Sequence, residues 1–357
     1  MDEGQGRRGT RVEGWKALLQ GILDEHNHYY KDNGKARRTV SHKTRDDRAK
    51  SLFLCFRTLR DKLGYSIDNP ANLKPKHVEA LVRYWESDGL SASTIQTRMS
   101  FLRAFADWIG KPGMITASEN YVEHAASVKR TYAADRDKGW KANGIDVEAK
   151  LRQISIAEPF VGMQLKVASA FGLRRKEAIM FAPYLQDLGD ILVVDRGAKG
   201  GRARVVAIDT AEKRAIVDEA KAFVLAIGAG KTGHIGEPGK TLKQSLSKYS
   251  HTMSRLGITV KEAGTTGHGL RHQFACDRLE DQGIVAPVRG GQSDQADTEE
   301  QHVAYRKVSE ELGHSRESVI AAYAGRFIRI KPATEPGKLA TIGRLETDQR
   351  TDQGVAE

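Results

Sequence analysis

Two short strand-like runs, in a chain whose other segments have helical periodicity, constrain the fold more than any other feature. The runs are ILVVD at 191–195 and RVVAI at 204–208, and the turn between them, RGAKGGRA, is rich in glycine and basic residues. Apolar, β-branched runs on either side of such a turn are typical of a β-hairpin. We therefore predict a mainly α protein with one small β-sheet.

Residues 15–111 have the apolar spacing of a small helical domain. The apolar residues at 52–63 share one helical face. Pro75 occupies a position favoured in the first turn of the next helix, and Ser91 and Ser93 are capping candidates for a third. The pattern indicates a separate helical domain with basic outer faces.

Changes of composition divide the rest of the chain. Residues 1–14 have the character of a flexible basic arm, and 112–145 that of a polar linker with some helix. A second domain is predicted at 146–330, followed by a polar tail at 331–357 that lacks a core face. Besides the hairpin, the second domain is predicted to be helical up to about 180 and again at 211–227, 241–256, 268–282, 298–312 and 316–325.

The chain carries an excess of basic residues. It has 57 Lys and Arg against 46 Asp and Glu, a formal net charge of +11 and a pI of about 9.5. Such a balance favours a polyanionic partner, with nucleic acid ahead of a membrane surface. The candidate DNA-contact residues are Arg48, Lys50, Arg57, Arg60, Arg98, Arg103 and Arg202.

Cysteine content and the amino terminus bear on the compartment. Cys55 and Cys276 lie far apart and form no CxxC pair, so they indicate neither a disulfide framework nor a zinc site. The first residues lack an apolar signal core, and no run approaches the ~18 apolar residues of a membrane span. We expect a cytoplasmic protein of bacterial type that does not bind membranes.

Three segments of the second domain carry residues suited to chemistry, although each has a plainer interpretation by itself. Arg174 in FGLRRKEAI could be a solvated helix end, and Lys199 an exposed turn residue. Tyr323 in ELGHSRESVIAAYAG could be a core tyrosine, and His314 lies nine residues before it. On one straight helix those two side chains would point in opposite directions, so their cooperation requires a bend in the chain.

A fourth segment, HGLRHQFACDRLE, places His268, Arg271 and His272 on one helical face. The two histidines could hold a metal ion, but Gly269 stands where the metalloprotease pattern needs a glutamate. An arginine between the ligands would also repel a divalent cation. In the other alternative both residues have structural roles: His272 is packed in the interior and Arg271 forms a salt bridge. We expect neither a metal nor a cofactor.

Together, the four segments suit a phosphodiester and its transition state. Arginines bind phosphate oxygens bidentately and stay charged at any working pH. They can neutralise the charge that develops on a pentavalent phosphorus without a metal. A tyrosine nucleophile conserves the energy of the cleaved bond in a phosphotyrosyl link. A lysine on a hairpin tip can give the leaving alkoxide its proton.

The motifs GLRRKE, the hairpin lysine, HGLRH, LGH and a tyrosine nine residues later resemble the tyrosine recombinase (lambda-type phage integrase) family. The resemblance covers residues 15–330 and implies a helical, SAM-like core-binding domain followed by an α/β catalytic domain. It implies a site-specific recombinase of a mobile genetic element, working on double-stranded DNA with attachment sites in the nucleoid. It further implies a monomer in solution, a homotetramer around a Holliday junction in the synaptic complex, and room for accessory DNA-bending or directionality factors.

The resemblance also implies the roles of individual residues. The two arginines would clamp the scissile phosphate, and the first and last histidines would hydrogen-bond it and assist proton transfer. The lysine would protonate the departing 5′ oxygen, and the tyrosine would form a 3′-phosphotyrosyl link. Glu177 matches a supporting acid of the family, and His272 a position that is more structural than catalytic. The implied catalytic set is Arg174, Lys199, His268, Arg271, His314 and Tyr323.

The sequence departs from the family pattern in two places. His268 and His314 are 46 positions apart, which is longer than the usual spacing. We interpret the excess, at about 283–306, as a polar surface insertion; its Tyr305 lacks the LGH spacing of a nucleophile. The tail at 331–357 is unlike the short helix that many family members exchange between subunits, which puts that exchange in doubt.

Two alternatives stand beside recombination. One is a type IB topoisomerase-like enzyme, which uses the same chemistry as a monomer to relax DNA. The other is a DNA-binding protein that has lost catalysis. The LGH-to-Tyr spacing and the amino-terminal helical domain favour recombination, and all six catalytic positions hold competent residues.

Overall fold

The computed structural model of the protein describes residues 14–29 and 39–327. The chain divides into two compact units, Met1–Thr131 and Tyr132–Glu357. Of the predicted arm at 1–14, only Gly14 belongs to the described residues, and the predicted tail at 331–357 lies outside them.

The first unit is helical where it is described. Ser91, rather than Ser93, caps a helix here, because its side chain accepts a hydrogen bond from the backbone N–H of Thr94. Apolar faces of the helices meet in a core that includes Trp15, Leu52, Phe56, Trp85 and Phe105. The α-helices are α1 Gly14–His26, α2 His42–Asp61, α3 Pro75–Ser87, α4 Ala92–Trp108 and α5 Ala125–Val128, with 3₁₀ turns at Pro70–Asn72 and Ser118–Tyr121.

The second unit combines helices with the predicted hairpin. Its strands are β1 Ile191–Val194 and β2 Arg204–Ala207. Its helices are α6 Val147–Ala157, α7 Pro159–Phe171, α8 Arg175–Ile179, α9 Pro183–Gln186, α10 Ala211–Ala226, α11 Leu242–Arg255, α12 Val260–Ala263, α13 Gly269–Glu280, α14 Thr298–Glu311 and α15 Ala321–Ala324, and its 3₁₀ turns are Lys141–Asn143, Lys199–Gly201, Pro287–Arg289 and Glu317–Ile320. No helix of the described residues is long and apolar enough to cross a membrane.

The predicted mainly α fold with one small sheet is confirmed. The strands β1 and β2 pair antiparallel, with Leu192 opposite Val206 and Val194 opposite Arg204. These four side chains are buried, whereas the alternate residue Val205 is exposed, so one face of the hairpin looks into the core. Helix α7 lies at the centre of this unit and packs against α6, α8, α10, α11 and α13.

The segment predicted as a linker, 112–145, is divided between the two units. Ile115 and Val128 belong to the core of the first unit, and Trp140 is fully buried in the second. Polar composition suggested a loose connection, but these few apolar side chains are enough to attach each end of the segment to a core.

The stretch at 283–306, predicted as a polar surface insertion, is mostly exposed or half-buried, but it is packed into the second unit at a few positions. Its end forms the first turns of α14, where Asp297 and Glu300 make a capping box. Ile284, Ala286 and Ala304 are buried in the main hydrophobic core. Its apolar residues are few, but they occur where the chain turns inward.

Candidate active site

Arg174 stands at the junction between α7 and α8. Gly172 ends α7 with a φ of 58°, and an added Cβ there would lie 2.5 Å from the ring of Phe274, so only glycine fits this turn. Arg174 then donates twice to Glu177, from its backbone N to Oε2 at 2.7 Å and from Nη1 to Oε1 at 2.7 Å. The two bonds fix the guanidinium against the start of α8.

Glu177 is the buried centre of a charge network that includes Arg204, which the sequence reasoning missed. Arg204 donates to Glu177 from Nη1 at 3.0 Å and from Nη2 at 2.8 Å, and both side chains are almost fully buried. Burial opposes ionisation of Glu177, but the hydrogen bonds and charges of Arg204 and Arg174 outweigh it and lower the pKa to about 2. The sequence did contain a signal for Arg204, because it is a basic residue at a position of β2 whose side chain faces the core.

Arg271 lies on α13 and is the most deeply buried arginine of the site, with 1% of its surface exposed. Its Nη1 donates to the carbonyl of Gly172 and its Nη2 to the carbonyl of Leu312. Arg174 Nη2 donates to the same Leu312 carbonyl at 3.2 Å. Burial lowers the pKa of Arg271 to about 10, which leaves it cationic at neutral pH. The two guanidinium groups therefore converge on one point.

Tyr323 and His314 meet at that point because the chain bends between them. The 3₁₀ turn Glu317–Ile320 is followed by the four-residue helix α15, so no straight helix joins the two residues. The Tyr323 hydroxyl lies 3.2 Å from His314 Nε2 and accepts a hydrogen bond from Arg271 Nε at 3.1 Å. His314 Nε2 also lies 3.3 Å from Arg174 Nη2. The spacing of nine residues thus brings the tyrosine and histidine together.

His268, directly before α13, and His272, on α13, lie close to the ring of Tyr323. The ring centroids of His268 and His272 lie 6.1 Å and 5.0 Å from that of Tyr323. His268 is exposed, but desolvation by the surrounding protein, together with repulsion from His272 and Arg271, lowers its pKa to about 4. Burial likewise lowers the pKa of His272 to about 4. Both imidazoles are therefore neutral at physiological pH.

Comparison with known families gives this site its context. A model of the phage integrase N-terminal domain matches residues 34–115, and an integrase model matches residues 137–277, which together make up more than half of the chain. The chain belongs to the phage integrase family of tyrosine recombinases. The family resemblance found in the sequence is thereby confirmed.

Relatives of this recombinase occur among bacterial proteins and solved integrase structures. Tyrosine recombinase XerC of Methylobacterium nodulans is 23% identical over 238 residues, which cover 63% of this chain and 71% of the relative. A lambda integrase dimer bound to a COC′ core site gives a TM-score of 0.54 at 17% identity, over 90% of this chain and 99% of the other. The Tn1549 transposon integrase bound to transposon right end DNA gives 0.54 at 14% identity, over 87% and 95%. The structural likenesses show a shared fold.

Lys199 of the recombinase lies in the turn that joins β1 and β2, as predicted. The 3₁₀ turn Lys199–Gly201 forms the tip of the hairpin, and Gly200 takes a positive φ of 73° there. The backbone of Lys199 is described, but its side chain lies outside what the structure describes. Arg202, a predicted DNA contact, is exposed beside it. The hairpin tip therefore carries an accessible basic residue next to the predicted proton donor.

Three of the predicted DNA contacts hold the first unit together instead. Arg48 is only 6% exposed and packs over the ring of Trp108, 5.2 Å from its centroid. Arg103 Nη2 donates to the carbonyl of Thr116 at 2.7 Å. Arg60 donates to the carbonyl of Ile67 at 2.7 Å and pairs with an aspartate. These residues lie on helices with basic outer faces, but their own side chains contact other residues of the same unit.

The other three predicted contacts in the first unit differ in exposure. Arg57 on α2 is exposed. Lys50 is also exposed and pairs with Asp46 at 2.6 Å. Arg98 on α4 is half-buried, with its guanidinium 5.2 Å from the ring centroid of Trp85. Arg57 and Lys50 therefore stay candidates for DNA contact.

Proposed function

We propose that this recombinase cleaves and rejoins DNA through a covalent 3′-phosphotyrosyl link at Tyr323, and so integrates or excises a mobile genetic element. One observation carries the proposal: the Tyr323 hydroxyl lies between Arg271 Nε at 3.1 Å and His314 Nε2 at 3.2 Å. A tyrosine buried for packing needs one hydrogen-bond partner, whereas this hydroxyl has a cationic donor on one side and an imidazole nitrogen on the other. The family assignment does not favour the DNA-relaxing or the non-catalytic alternative.

The hydrogen-bond partners of His314 assign it a chemical role. Its Nε2 lies 3.3 Å from Arg174 Nη2 and 3.5 Å from Arg271 Nη2, and arginine can only donate. We assign Nε2 as the acceptor nitrogen of the imidazole, and its one lone pair then serves the nearest of these donors, the Tyr323 hydroxyl at 3.2 Å. The Tyr323 hydroxyl can then donate its proton to His314 while it accepts from Arg271. This arrangement activates the oxygen for attack.

The arginines supply charge where the phosphate would react. Arg174 and Arg271 now share the carbonyl of Leu312 as an acceptor. A scissile phosphate beside Tyr323 would offer these donors anionic oxygens, which make stronger hydrogen bonds than a neutral carbonyl. Fixed cations in a buried setting stabilise the extra negative charge of the pentavalent transition state.

The proposed step balances as follows. A bond forms between the Tyr323 oxygen and phosphorus, the bond from phosphorus to the 5′ oxygen breaks, and the tyrosine proton passes to His314. Lys199 gives a proton to the departing 5′ oxygen, and neutral His268 donates a hydrogen bond to the phosphate. Ligation reverses these transfers with a 5′ hydroxyl of the partner strand, so that no external energy source is needed.

The partners follow from the chemistry and from relatives. The substrate would be double-stranded DNA with attachment sites, found in the bacterial nucleoid. Solved relatives include a lambda integrase dimer on a core site and a tetramer bound to a Holliday junction. We propose the same kind of assembly here: monomers that form a tetramer on paired sites, with accessory DNA-bending or directionality factors.

Covalent capture tests the proposal and identifies the site. Purified protein is incubated with nicked duplexes that carry a randomised central segment, and adducts that survive a denaturing gel are sequenced. We expect an adduct with the wild type and none with Tyr323→Phe. The matched control is Tyr305→Phe, because Tyr305 is half-buried on α14 against Phe327 and should not be needed.

The outcomes separate the candidate functions. Absence of a wild-type adduct, or an adduct lost in Tyr305→Phe and kept in Tyr323→Phe, would refute the assignment. Relaxation of supercoiled plasmid without the selected site, by protein that stays monomeric, would support the topoisomerase instead.

A further inference from the structure

The segment at 284–296, which we call the insertion loop, is closed on itself. The side-chain amide of Gln295 pairs with the backbone of Val285, accepting from its N at 2.8 Å and donating to its O at 2.9 Å. Gln301 Nε2 of α14 donates to the carbonyls of Ser293 and Ala296, both at 2.8 Å. These bonds satisfy backbone groups within the loop, so that it keeps a defined shape.

Arg289 attaches the insertion loop to the helix that carries Arg271. Its Nη1 lies 2.7 Å from Asp277 Oδ1 and 3.0 Å from Glu280 Oε1, both on α13. Its Nε donates to Asp137 Oδ2 at 2.8 Å, and the side chain of Asp137 is buried. Three carboxylates around one partly buried guanidinium fix the position of the loop more firmly than an exposed ion pair could.

The opposite edge of the loop lies against the tyrosine helix. Ile284 and Ala286 share the hydrophobic core with Tyr323. The helix α15 ends at Gly325, which has a φ of 83°. A Cβ added to Gly325 would lie 2.9 Å from Val288 Cγ1 and 3.3 Å from Pro287 Cβ, which shows how closely the loop approaches.

A helix as short as α15 cannot hold the nucleophile without outside support. Ala321–Ala324 is a single turn, and such a turn is unstable in isolation. One support is the bond from Ala134 N to the carbonyl of Ala321 at 2.7 Å. Helix α13 also packs against α15, and the insertion loop adds a further support through Pro287 and Val288.

We propose that the insertion loop is a positioning element for the nucleophile, with Arg289 as its anchor. The inference rests on the proposed role of Tyr323 as the attacking residue. The Arg289 ion pairs fix the loop to α13, the Pro287–Val288 edge holds α15, and the Tyr323 oxygen thereby stays beside Arg271 and His314 of its own chain.

The first test compares Arg289→Met with Arg214→Met. Arg214 is a matched control because it bonds the buried Asp187 from two nitrogens, on α10 in the same unit, and does not contact the loop. For each full-length variant we would measure the affinity for a captured duplex, the thermal midpoint and the single-turnover rate of adduct formation at saturating DNA. Arg289→Met should slow adduct formation on the order of 10- to 100-fold at unchanged DNA affinity, because small displacements of reacting atoms have effects of that size.

A second pair of variants tests the contact with α15 even if Arg289→Met folds poorly. Val288→Ala, which removes Cγ1 from the edge that contacts α15, should slow adduct formation at unchanged DNA affinity, whereas Val285→Ala, at an exposed residue of the same loop, should not. Arg289→Lys should be intermediate, since an ammonium cannot reproduce the planar fork of donors.

The results distinguish this inference from the proposed function. Wild-type adduct formation in Arg289→Met, with none in Tyr323→Phe, would overturn the positioning role and leave the recombinase assignment intact. Equal slowing in Arg289→Met and Arg214→Met, or a wild-type rate of adduct formation in Val288→Ala, would also overturn it. A wild type that forms no adduct would refute the proposed function itself.

Discussion

Replacing Glu177 with glutamine removes the buried negative charge between Arg174 and Arg204. Glutamine keeps the size of the side chain but turns one acceptor oxygen into a donor that faces guanidinium donors. Both carboxylate oxygens now accept bonds, with four donor distances between 2.7 and 3.0 Å. The variant would leave Arg204, whose side chain is 3% exposed, as a buried cation with no counter-charge from Glu177.

The pKa of Glu177 gives the size of the effect. Lowering it from 4.5 to about 2 corresponds to about 3 kcal/mol of stabilisation. Removing one partner of a buried ion pair costs ~3–5 kcal/mol, which agrees. We therefore expect Glu177→Gln to lower the free energy of unfolding of the second unit by about 3 kcal/mol or more at pH 7.

The direction of the pKa shift determines how the free energy of unfolding changes with pH. The folded-state pKa lies below the unfolded value, so as the pH falls the unfolded chain binds the proton first. The stabilisation is complete above about pH 4.5 and is lost as the pH falls through about 2. The gap between wild type and Glu177→Gln should therefore be constant around neutral pH and shrink below about pH 4.5.

Hydrogen exchange at increasing urea concentration, read by mass spectrometry on peptides of α7 and α13, measures the second unit alone. The matched variant is Glu177→Met with Arg204→Met, which removes both charges and should recover most of the stability. It should not recover cleavage, because Arg174 loses its two bonds to Glu177. A loss below about 1 kcal/mol at pH 7, or a gap that does not change between neutral and acid pH, would refute the reasoning.

Further predictions concern Arg174 and Arg175, the basic helices of the first unit, and His268. Arg174→Lys should slow adduct formation about a hundredfold. Arg175→Lys should not, since Arg175 is exposed and contacts Ser250 and the ring of Tyr249 rather than Tyr323. Similar rates for the two variants would contradict this assignment. Arg57→Met should weaken DNA binding and reduce the slope of the log binding constant against log salt concentration by ~1. Arg48→Met should lower the unfolding temperature and leave that slope unchanged, because Arg48 is buried. In an NMR titration His268 should stay neutral down to about pH 5, and stability should fall below about pH 6.5 as the unfolded chain takes up the proton first. A His268 midpoint near 6.5 would be inconsistent with the proposed surroundings of its ring.

Much of the fold was visible in the sequence because local patterns report local structure. The helical spacing at 15–111 and the glycine-rich turn between two apolar runs each predicted an element that the structure contains. The order of Arg174, Lys199, His268, Arg271, His314 and Tyr323 was enough to recognise the family, and the family models that match residues 34–115 and 137–277 confirm it.

Three features were decided only by the tertiary structure. Arg204 and Glu177 are 27 positions apart, and nothing local indicates that they share a buried charge network. Arg48 was assigned to an outer face, but contacts with Asn27, just after α1, and with Trp108 of α4 bury it. The sequence at 283–306 predicted a polar insertion, but a few apolar residues and Arg289 attach this stretch to α13 and α15.

The physical reason is the range of the interactions involved. Periodicity and turn chemistry depend on residues a few positions apart, so the sequence by itself determined the helices, the hairpin and the identity of the reactive side chains. Burial of a cation depends on which distant segments fold over it, and so does its choice of partner. Only the folded chain decided that Arg271 and Tyr323, 52 positions apart, share a hydrogen bond at the reacting atom.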